Sequence, residues 1–388
     1  MRRIPDFPEP DADAREHSAR VVDAVAREIA RAGGFLPFDR YMQLALYGPG
    51  LGYYVAGARK FGAAGDFVTA PELTPLYGAT LARQVGAILD ATKAREIVEF
   101  GAGSGKLAAD VLAALAANDA LPSRYRIVEL SPELVRRQRD AIARLAPALA
   151  ALVEWLAAPP LRIDGAVLMN EVLDAVPPSI VARSGDAWSE EGVVLRGDGT
   201  LALAQRALGD TRLRALAQDR FPDGDYKSEL NPAAETLVDD VGRRLAGGAM
   251  LIVDYGFPRH EYYHLQRDGG TLMAHHRHRA HGDPLSWPGL TDLTAHVDFT
   301  AIAEAGERAG LTVAGFASQA AFLLGLGLLD RSAAIGPPTS TAYLRAASAV
   351  QTLTSPAEMG ELFKVLALAR SDGIAWPGFA LADMTHRL

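Results

Sequence analysis

The stretch Ile97-Val98-Glu99-Phe100-Gly101-Ala102-Gly103-Ser104-Gly105-Lys106-Leu107 carries the clearest chemistry in the sequence. An apolar run ends near an acid, three glycines alternate with small residues, and a helical pattern follows. It reads as strand, tight turn and helix, the opening of a nucleotide-binding α/β unit. Glycines permit positive φ and close approach of a ligand to bare backbone, and the helix N-terminus offers unpaired N–H groups. A P-loop requires Gly-x-x-x-x-Gly-Lys-Ser/Thr, but Phe100 precedes Gly101 and Leu107 follows Lys106, so both ends fail. A dinucleotide fingerprint requires Gly-x-Gly-x-x-Gly; Gly101 and Gly103 fit, but Lys106 stands where the third glycine belongs.

What remains is Glu-x-Gly-x-Gly-x-Gly, the pattern of S-adenosylmethionine (SAM) methyltransferases. SAM has no pyrophosphate, so the turn must instead accommodate a methionine portion bearing ammonium and sulfonium charges. An acid just before the glycines, Glu99, suits that need. A second acid, Glu129, closes the next expected strand, where its carboxylate can accept hydrogen bonds from both ribose hydroxyls. The plainer alternative is an α/β protein with a tight turn and a surface Glu.

Around these residues the elements follow from periodicity and caps. Asp13 to Ala32 places Val21, Val22, Val25 and Ile29 at helical spacing and stops at Gly33-Gly34. Phe38 to Tyr47 and Thr74 to Asp90 read as further helices, the second with Pro75 in its first turn. Strands are expected at Ile97 to Phe100, Tyr125 to Leu130, Leu152 to Leu156, Gly165 to Asn170 and Ala249 to Asp254. Helices are expected from Leu107 to Ala117, after the Ser131-Pro132-Glu133 cap, from Asn231 to Leu245 and from Phe299 to Ala309. Residues 180–205 alternate polar and apolar between turn signals and read as a small antiparallel insertion. Residues 255–298 read as a long irregular segment. Leu311 to Phe316 and the apolar stretch after Ala320 are expected to be the last two strands, and Ser355-Pro356-Ala357-Glu358 to open a C-terminal helix. Alternating strands and helices imply a mostly parallel sheet covered on both faces.

Composition narrows the function classes. At 388 residues, there is core enough for one large or two ordinary domains. A net charge of −8 counts against nucleic acid or an anionic membrane as partner. With no cysteine, disulfides, thiolate-bound zinc and thiol nucleophiles are ruled out. The start, Met1-Arg2-Arg3-Ile4-Pro5-Asp6, lacks the apolar run of a signal peptide. The longest apolar stretch, Ala320 to Leu329, falls short of the roughly 18 residues of a membrane helix. The expected location is cytoplasmic, without membrane insertion.

With these residues assembled, the sequence resembles the MidA family of SAM-dependent methyltransferases. That family includes the mitochondrial complex I assembly factor with protein arginine methyltransferase activity. The matching stretches span nearly the whole chain: Arg40-Tyr41-Met42 with Ala45-Leu46-Tyr47, Gly52-Tyr53-Tyr54, Gly65-Asp66-Phe67, Thr69-Ala70-Pro71-Glu72, Glu99 to Gly105 and Glu129-Leu130-Ser131-Pro132. They continue through Asn170-Glu171-Val172-Leu173-Asp174-Ala175, Asp254-Tyr255-Gly256, Arg279-Ala280-His281 and Thr294 to Phe299. The family commonly has Ser where Ala70 stands.

The resemblance implies a class I SAM-dependent methyltransferase fold, Rossmann-like with a mostly parallel seven-stranded sheet. An N-terminal helical, loop-rich region (1–90) would cover the cofactor site, and an α/β core (91–388) would carry insertions at about 180–228 and 255–298. It implies SAM as cofactor and S-adenosyl-L-homocysteine as product. Glu99, Gly101, Gly103, Gly105, Glu129, Leu130, Asn170, Thr69, Pro71 and Glu72 become the cofactor-binding candidates, with the aromatic loops Tyr41 to Tyr54 and Phe61 to Phe67 closing over them. The implied partner is a protein substrate, with a respiratory complex I subunit as one candidate. A bacterial member need not share the mitochondrial substrate, so the acceptor stays open, as does the oligomeric state.

An arginine acceptor is fully charged at neutral pH and a poor nucleophile. Carboxylates can hold it bidentately, concentrate a lone pair on one nitrogen and help remove the proton. Glu171 and Asp174, at the end of the fourth strand, are the first choice for that clamp; the alternative is that they only begin the next helix. His296 is a further catalytic candidate, and Asp298 reads most simply as a helix N-cap. The cluster His275-His276, His278 and His281 lacks metal-ligand spacing and lies among arginines, so no metal is expected. Methylation of a small molecule or RNA, and a SAM-binding assembly protein without catalysis, are the competing readings.

Overall fold

The computed structural model describes residues 9–56, 69–277 and 279–388. Seven strands run through the central sheet, β1 (Glu96–Phe100), β2 (Arg124–Val128), β3 (Val153–Leu156), β4 (Ile163–Asn170), β5 (Leu245–Phe257), β6 (Thr312–Ser318) and β7 (Phe363–Ala369), and the two-residue strand Val297–Asp298 pairs with the end of β5. Their order is β3-β2-β1-β4-β5-β7-β6, all parallel except β7, which runs antiparallel to both neighbours. Strand order reverses between β1 and β4, and the crevice beyond the carboxyl ends at such a switch point is where ligands bind in open α/β sheets.

Side chains alternate between the two faces of each strand, and both faces are apolar. Ile97, Tyr125, Ile127, Leu168, Leu251 and Val365 pack against the helices Pro75–Asp90 and Lys106–Ala116. Val98, Phe100, Val167, Met169, Ile252 and Leu366 pack against Pro232–Arg244 and Phe299–Arg308 on the other face. At about 1.5–3 kcal/mol for each large aliphatic side chain removed from water, these two layers dominate the stability of the core. Residues buried on both faces leave no polar alternation in the middle of β4, β5 and β7, which read as continuous apolar runs.

A separate apolar cluster builds the cap over the sheet. The helices Ala12–Arg31 and Phe38–Tyr47 contribute Val21, Val25, Ile29, Tyr41, Met42 and Leu46. They pack on Ile180, Val193 and Leu201 of the antiparallel insertion, and on Ala274 and Leu293. Leu36–Pro37 adds a two-residue strand to that insertion, paired with Val193 and Gly192. The insertion also gains Tyr226–Leu230, antiparallel to Ser179–Ser184. The aromatic loop Gly48 to Tyr54 is thereby held against the mouth of the crevice, with Tyr53 and Tyr54 N–H groups donating to Ala45 and Leu46 carbonyls.

Three expectations are corrected. Residues 255–298 are not irregular throughout: Met273–His276, Arg279–His281 and Asp292–Thr294 form a three-stranded antiparallel sheet. Strands of three or four residues are too short to show a period. The apolar stretch after Ala320 is not a strand but part of the helix Gln319–Gly325, capped by the Ser318 hydroxyl, followed by Leu328–Ala333. Length and periodicity cannot separate a buried helix from a buried strand in so short a run. Ser355 does not open a long C-terminal helix. It ends one, Thr341–Thr354, and after a single turn at Met359–Leu362 the chain enters β7, whose residues are all buried.

Candidate functional site

The carboxyl ends of β1, β2, β4 and β5 open into one cavity of about 560 Å³. Its floor is the glycine turn. Gly101, Gly103 and Gly105 all have positive φ, at 60°, 54° and 81°. A Cβ on Gly101 would lie 3.3 Å from Val172, and one on Gly105 would lie 3.0 Å from the Gln138 backbone. Side chains are therefore disfavoured at all three by backbone conformation, and at Gly105 by the Gln138 backbone as well.

Gln138, on the helix Pro132–Leu145, ties the turn to the second strand. Its amide donates to the Gly103 carbonyl at 3.1 Å and to Glu129 Oε2 at 2.9 Å, while Trp155 Nε1 donates to its Oε1 at 2.9 Å. The Ser131 N–H holds the other Glu129 oxygen at 2.9 Å. Glu129 is thus oriented by two donors before any ligand arrives. Glu99 lies deeper, 2% exposed, and accepts from the Tyr125 hydroxyl at 2.8 Å. Burial pushes its carboxyl up to about 7, with the Glu129 charge adding and the Tyr125 hydrogen bond opposing. Ser104 donates to Glu72, which joins the turn to the short helix Ala70–Leu73.

At the other end of the cavity Asn170 accepts from the Tyr77 hydroxyl at 2.6 Å and donates to Glu171 at 3.1 Å. Glu171 has a φ of 54°, an uncommon left-handed conformation for a residue with a side chain. Burial, then the neighbouring Asp174, pushes the Glu171 carboxyl up to about 8. Asp174 is itself pushed up to about 7 by burial. Tyr47 and Tyr54 stack at 5.5 Å between ring centroids; their hydroxyls donate to the Ala175 carbonyl and to Asp292.

Every cofactor-binding candidate except Gly105, which packs against the Gln138 backbone, lines this cavity, and so do Glu171 and Asp174. His296 does not. It stacks behind Tyr255 with rings 6.1 Å apart and nearly parallel, and burial, with Arg267 and Lys364 nearby, lowers it to about 4. Asp298 caps the helix Phe299–Arg308 by accepting from the Ala301 N–H. The aromatic stretch Phe61 to Phe67, with Gly65-Asp66-Phe67, and His278 lie outside the described residues. His276 packs on Trp287, with Nδ1 2.9 Å from the Leu290 carbonyl. Among the described residues, no group of three or more His, Cys, Asp or Glu is placed to hold a metal ion. Sequence reasoning missed Asp292, His275, Tyr255 and Gln43 as cavity residues. Only their place in matching stretches or in the histidine cluster hinted at any of them.

The lining residues suit a cationic ligand. They include Glu72, Glu99, Glu129, Glu171, Asp174 and Asp292, and among the described lining residues no Lys or Arg. SAM fits: a bare-backbone cradle, an oriented carboxylate at the second strand, a deep carboxylate beside the turn, and volume to spare.

Comparison with known proteins agrees. Residues 80–317 match the model of a family of S-adenosyl-L-methionine-dependent methyltransferases. A mitochondrial protein arginine methyltransferase NDUFAF7 homolog of Drosophila melanogaster is 30% identical, over 86% of this chain and 82% of that protein. The Caenorhabditis elegans homolog is also 30% identical, over 69% and 68%. A Burkholderia thailandensis protein crystallised with S-adenosyl-homocysteine superposes with a TM-score of 0.95 at 50% identity, over 99% of this chain and all of that one.

Proposed function

The chain belongs to the family of S-adenosyl-L-methionine-dependent methyltransferases, and from that premise we propose that it is a protein arginine N-methyltransferase whose acceptor guanidinium enters the Glu171–Asp174 end of the cavity. The observation that carries this reading is the acidic lining, six carboxyl groups with no Lys or Arg among the described residues. One end can serve the cofactor through Glu99, the glycine turn, Glu129 and Leu130, with Thr69, Pro71 and Glu72 closing it. The other end keeps Glu171, Asp174 and Asp292 for a second cation. The names of the mitochondrial relatives support the same acceptor class.

Bound SAM supplies a methyl group on a positively charged sulfur, which leaves as a neutral thioether when the nitrogen–carbon bond forms. The chain's own residues do the rest. Glu171 and Asp174 hold the guanidinium in plane and draw its positive charge onto the nitrogens they contact, leaving the remaining nitrogen richer in electron density. Their raised carboxyls, about 8 and about 7, are strong enough bases to take the proton that the methylated nitrogen gives up. Tyr47, Tyr54 and Tyr255 wall the site and keep water away.

The resemblance to complex I assembly factors extends the proposal to a respiratory complex I subunit as the acceptor protein. Purified protein with isotope-labelled SAM, added to lysate of a strain lacking the gene, tests both parts. Label should enter a protein band, release methylarginine on hydrolysis, and vanish with Glu171→Ala. Label found only in RNA or small molecules overturns the reading.

A further inference from the structure

The stretch Asp254-Tyr255-Gly256 closes β5, and its aspartate takes no part in the chemistry above. Asp254 is fully buried. Its Oδ2 accepts three successive backbone N–H groups, from Val172 at 3.2 Å, Leu173 at 2.9 Å and Asp174 at 3.3 Å. Its Oδ1 accepts the Tyr255 N–H at 2.8 Å. One residue earlier, the Val253 carbonyl accepts the Glu171 N–H at 2.9 Å. Four consecutive amides, 171 to 174, therefore converge on the end of a single neighbouring strand. Successive N–H groups turned to one side make a concavity suited to an anion, and here the chain supplies its own.

We infer that Asp254 is the positioning residue of the acceptor end, setting by its hydrogen bonds the turn from which Glu171 and Asp174 face the cavity. Without those bonds, the described residues show no hydrogen bond from β5 to the Val172, Leu173 and Asp174 amides, and only the packing of Leu173 is left on that side. Glu171 would then be free to leave its left-handed conformation, which sterics disfavour for any L residue with a side chain. Asp254 does not line the cavity, so it acts through the turn and not on the ligand. The far side of the turn has its own anchors, with the Ala295 N–H on the Asp174 carbonyl and the Tyr47 hydroxyl on the Ala175 carbonyl. A third carboxylate beside Glu171 and Asp174 is electrostatically costly; burial and those two charges push Asp254 well above the usual carboxylate range. The work assigned to it needs an acceptor oxygen and not a charge. Asparagine can keep that oxygen towards the three turn amides, while its NH2 gives up the bond from the Tyr255 N–H.

The inference rests on the proposed acceptor end, so the test separates the two. Asp254→Asn and Asp254→Leu are compared with the wild type by hydrogen exchange across residues 171–174, by calorimetry with S-adenosyl-homocysteine, and by binding of arginine methyl ester to the homocysteine-saturated protein. Asp254→Leu should speed exchange of the Val172 to Asp174 amides at least about tenfold. It should weaken arginine methyl ester at least about tenfold, yet change S-adenosyl-homocysteine affinity less than about threefold. Asp254→Asn, which keeps the turn-facing oxygen and loses only the acceptor for the Tyr255 N–H, should stay within about threefold of wild type in all three. Wild-type exchange and ester binding in Asp254→Leu would overturn the inference. So would loss of ester binding in Asp254→Asn with exchange protection intact, an outcome readable even where the leucine variant does not fold. If the wild type itself binds no arginine methyl ester, the acceptor reading fails, and the exchange comparison still decides whether Asp254 sets the turn.

Discussion

The Tyr54 hydroxyl donates to Asp292 Oδ1 at 2.9 Å across 238 positions of sequence, joining the aromatic loop of the cap to the small sheet beside the core. The contact lies at the cavity wall, and both residues line it. Asp292 is 2% exposed, so its carboxylate depends on such donors. The cap and the proposed acceptor end are thus tied by a hydrogen bond to a buried carboxyl group.

Tyr54→Phe should therefore cost more than a hydroxyl. It removes one donor from a buried carboxylate while keeping the ring stacked on Tyr47. A loss of about 1–3 kcal/mol in unfolding free energy is expected, read by denaturant titration. The affinity for S-adenosyl-homocysteine should stay near wild type, because Glu99 and Glu129 lie at the other end. A variant as stable as wild type would show that the hydrogen bond carries no net energy.

Gln138 makes the next test, because it touches Gly103, Glu129 and Trp155 without lining the cavity. Gln138→Ala should leave Glu129 less well oriented and weaken S-adenosyl-homocysteine by about tenfold. Calorimetry reads this directly. Unchanged affinity would mean that the Ser131 N–H alone suffices to place the carboxylate.

Glu99 gives a prediction in pH. Its folded carboxyl is raised by burial from 4.5 to about 7, so the ligand-free fold binds a proton that the unfolded chain has released. The contribution of Glu99 to stability is therefore full below about 4.5 and is lost as pH rises through about 7. Binding of the cationic amino-acid end runs the other way, since it needs the ionised form. S-adenosyl-homocysteine affinity should rise as pH passes through about 7, approaching tenfold per pH unit on the acid side. Glu99→Gln should flatten both profiles and lower the affinity. Identical pH profiles in wild type and variant would remove Glu99 from the binding event.

The central sheet was legible in sequence because its turns and caps are local. The glycine turn, the Ser131-Pro132 cap and the Asn231-Pro232 cap mark element boundaries with side chains that act within four residues. β7 was not legible. Its neighbours β5 and β6 make it a strand, and Phe363-Lys364-Val365-Leu366-Ala367-Leu368-Ala369 has no period that would tell it from a helix. At the site the division is similar. Glu99, Glu129 and Glu171 end strands, where a parallel sheet presents ligands. Asp292 and His275 reach the cavity only through a sheet of three- and four-residue strands held by the cap. His296 was read as catalytic from its motif, but its stretch places it behind Tyr255.

Glu171 and Asp174 supply the most direct test of the proposed chemistry. Glu171→Gln keeps the shape, and its side-chain oxygen can still meet the Asn170 amide, but it removes a base raised to about 8. Asp174→Asn does the same for a base at about 7. Each should leave S-adenosyl-homocysteine affinity within about threefold and lower turnover by about 10²–10⁴-fold. In the wild type the base form grows as pH rises, so turnover should climb through about 7 to 8 before levelling. Below that range both carboxyls carry protons and the guanidinium loses its counter-charge as well as its base. Stability moves oppositely: raised carboxyls favour the protonated fold, so the ligand-free protein should be more resistant to denaturant at about pH 6 than at about pH 9. Each single variant should reduce that difference. Turnover unaffected by either substitution would remove the base from this pair and leave the acidic wall with binding alone.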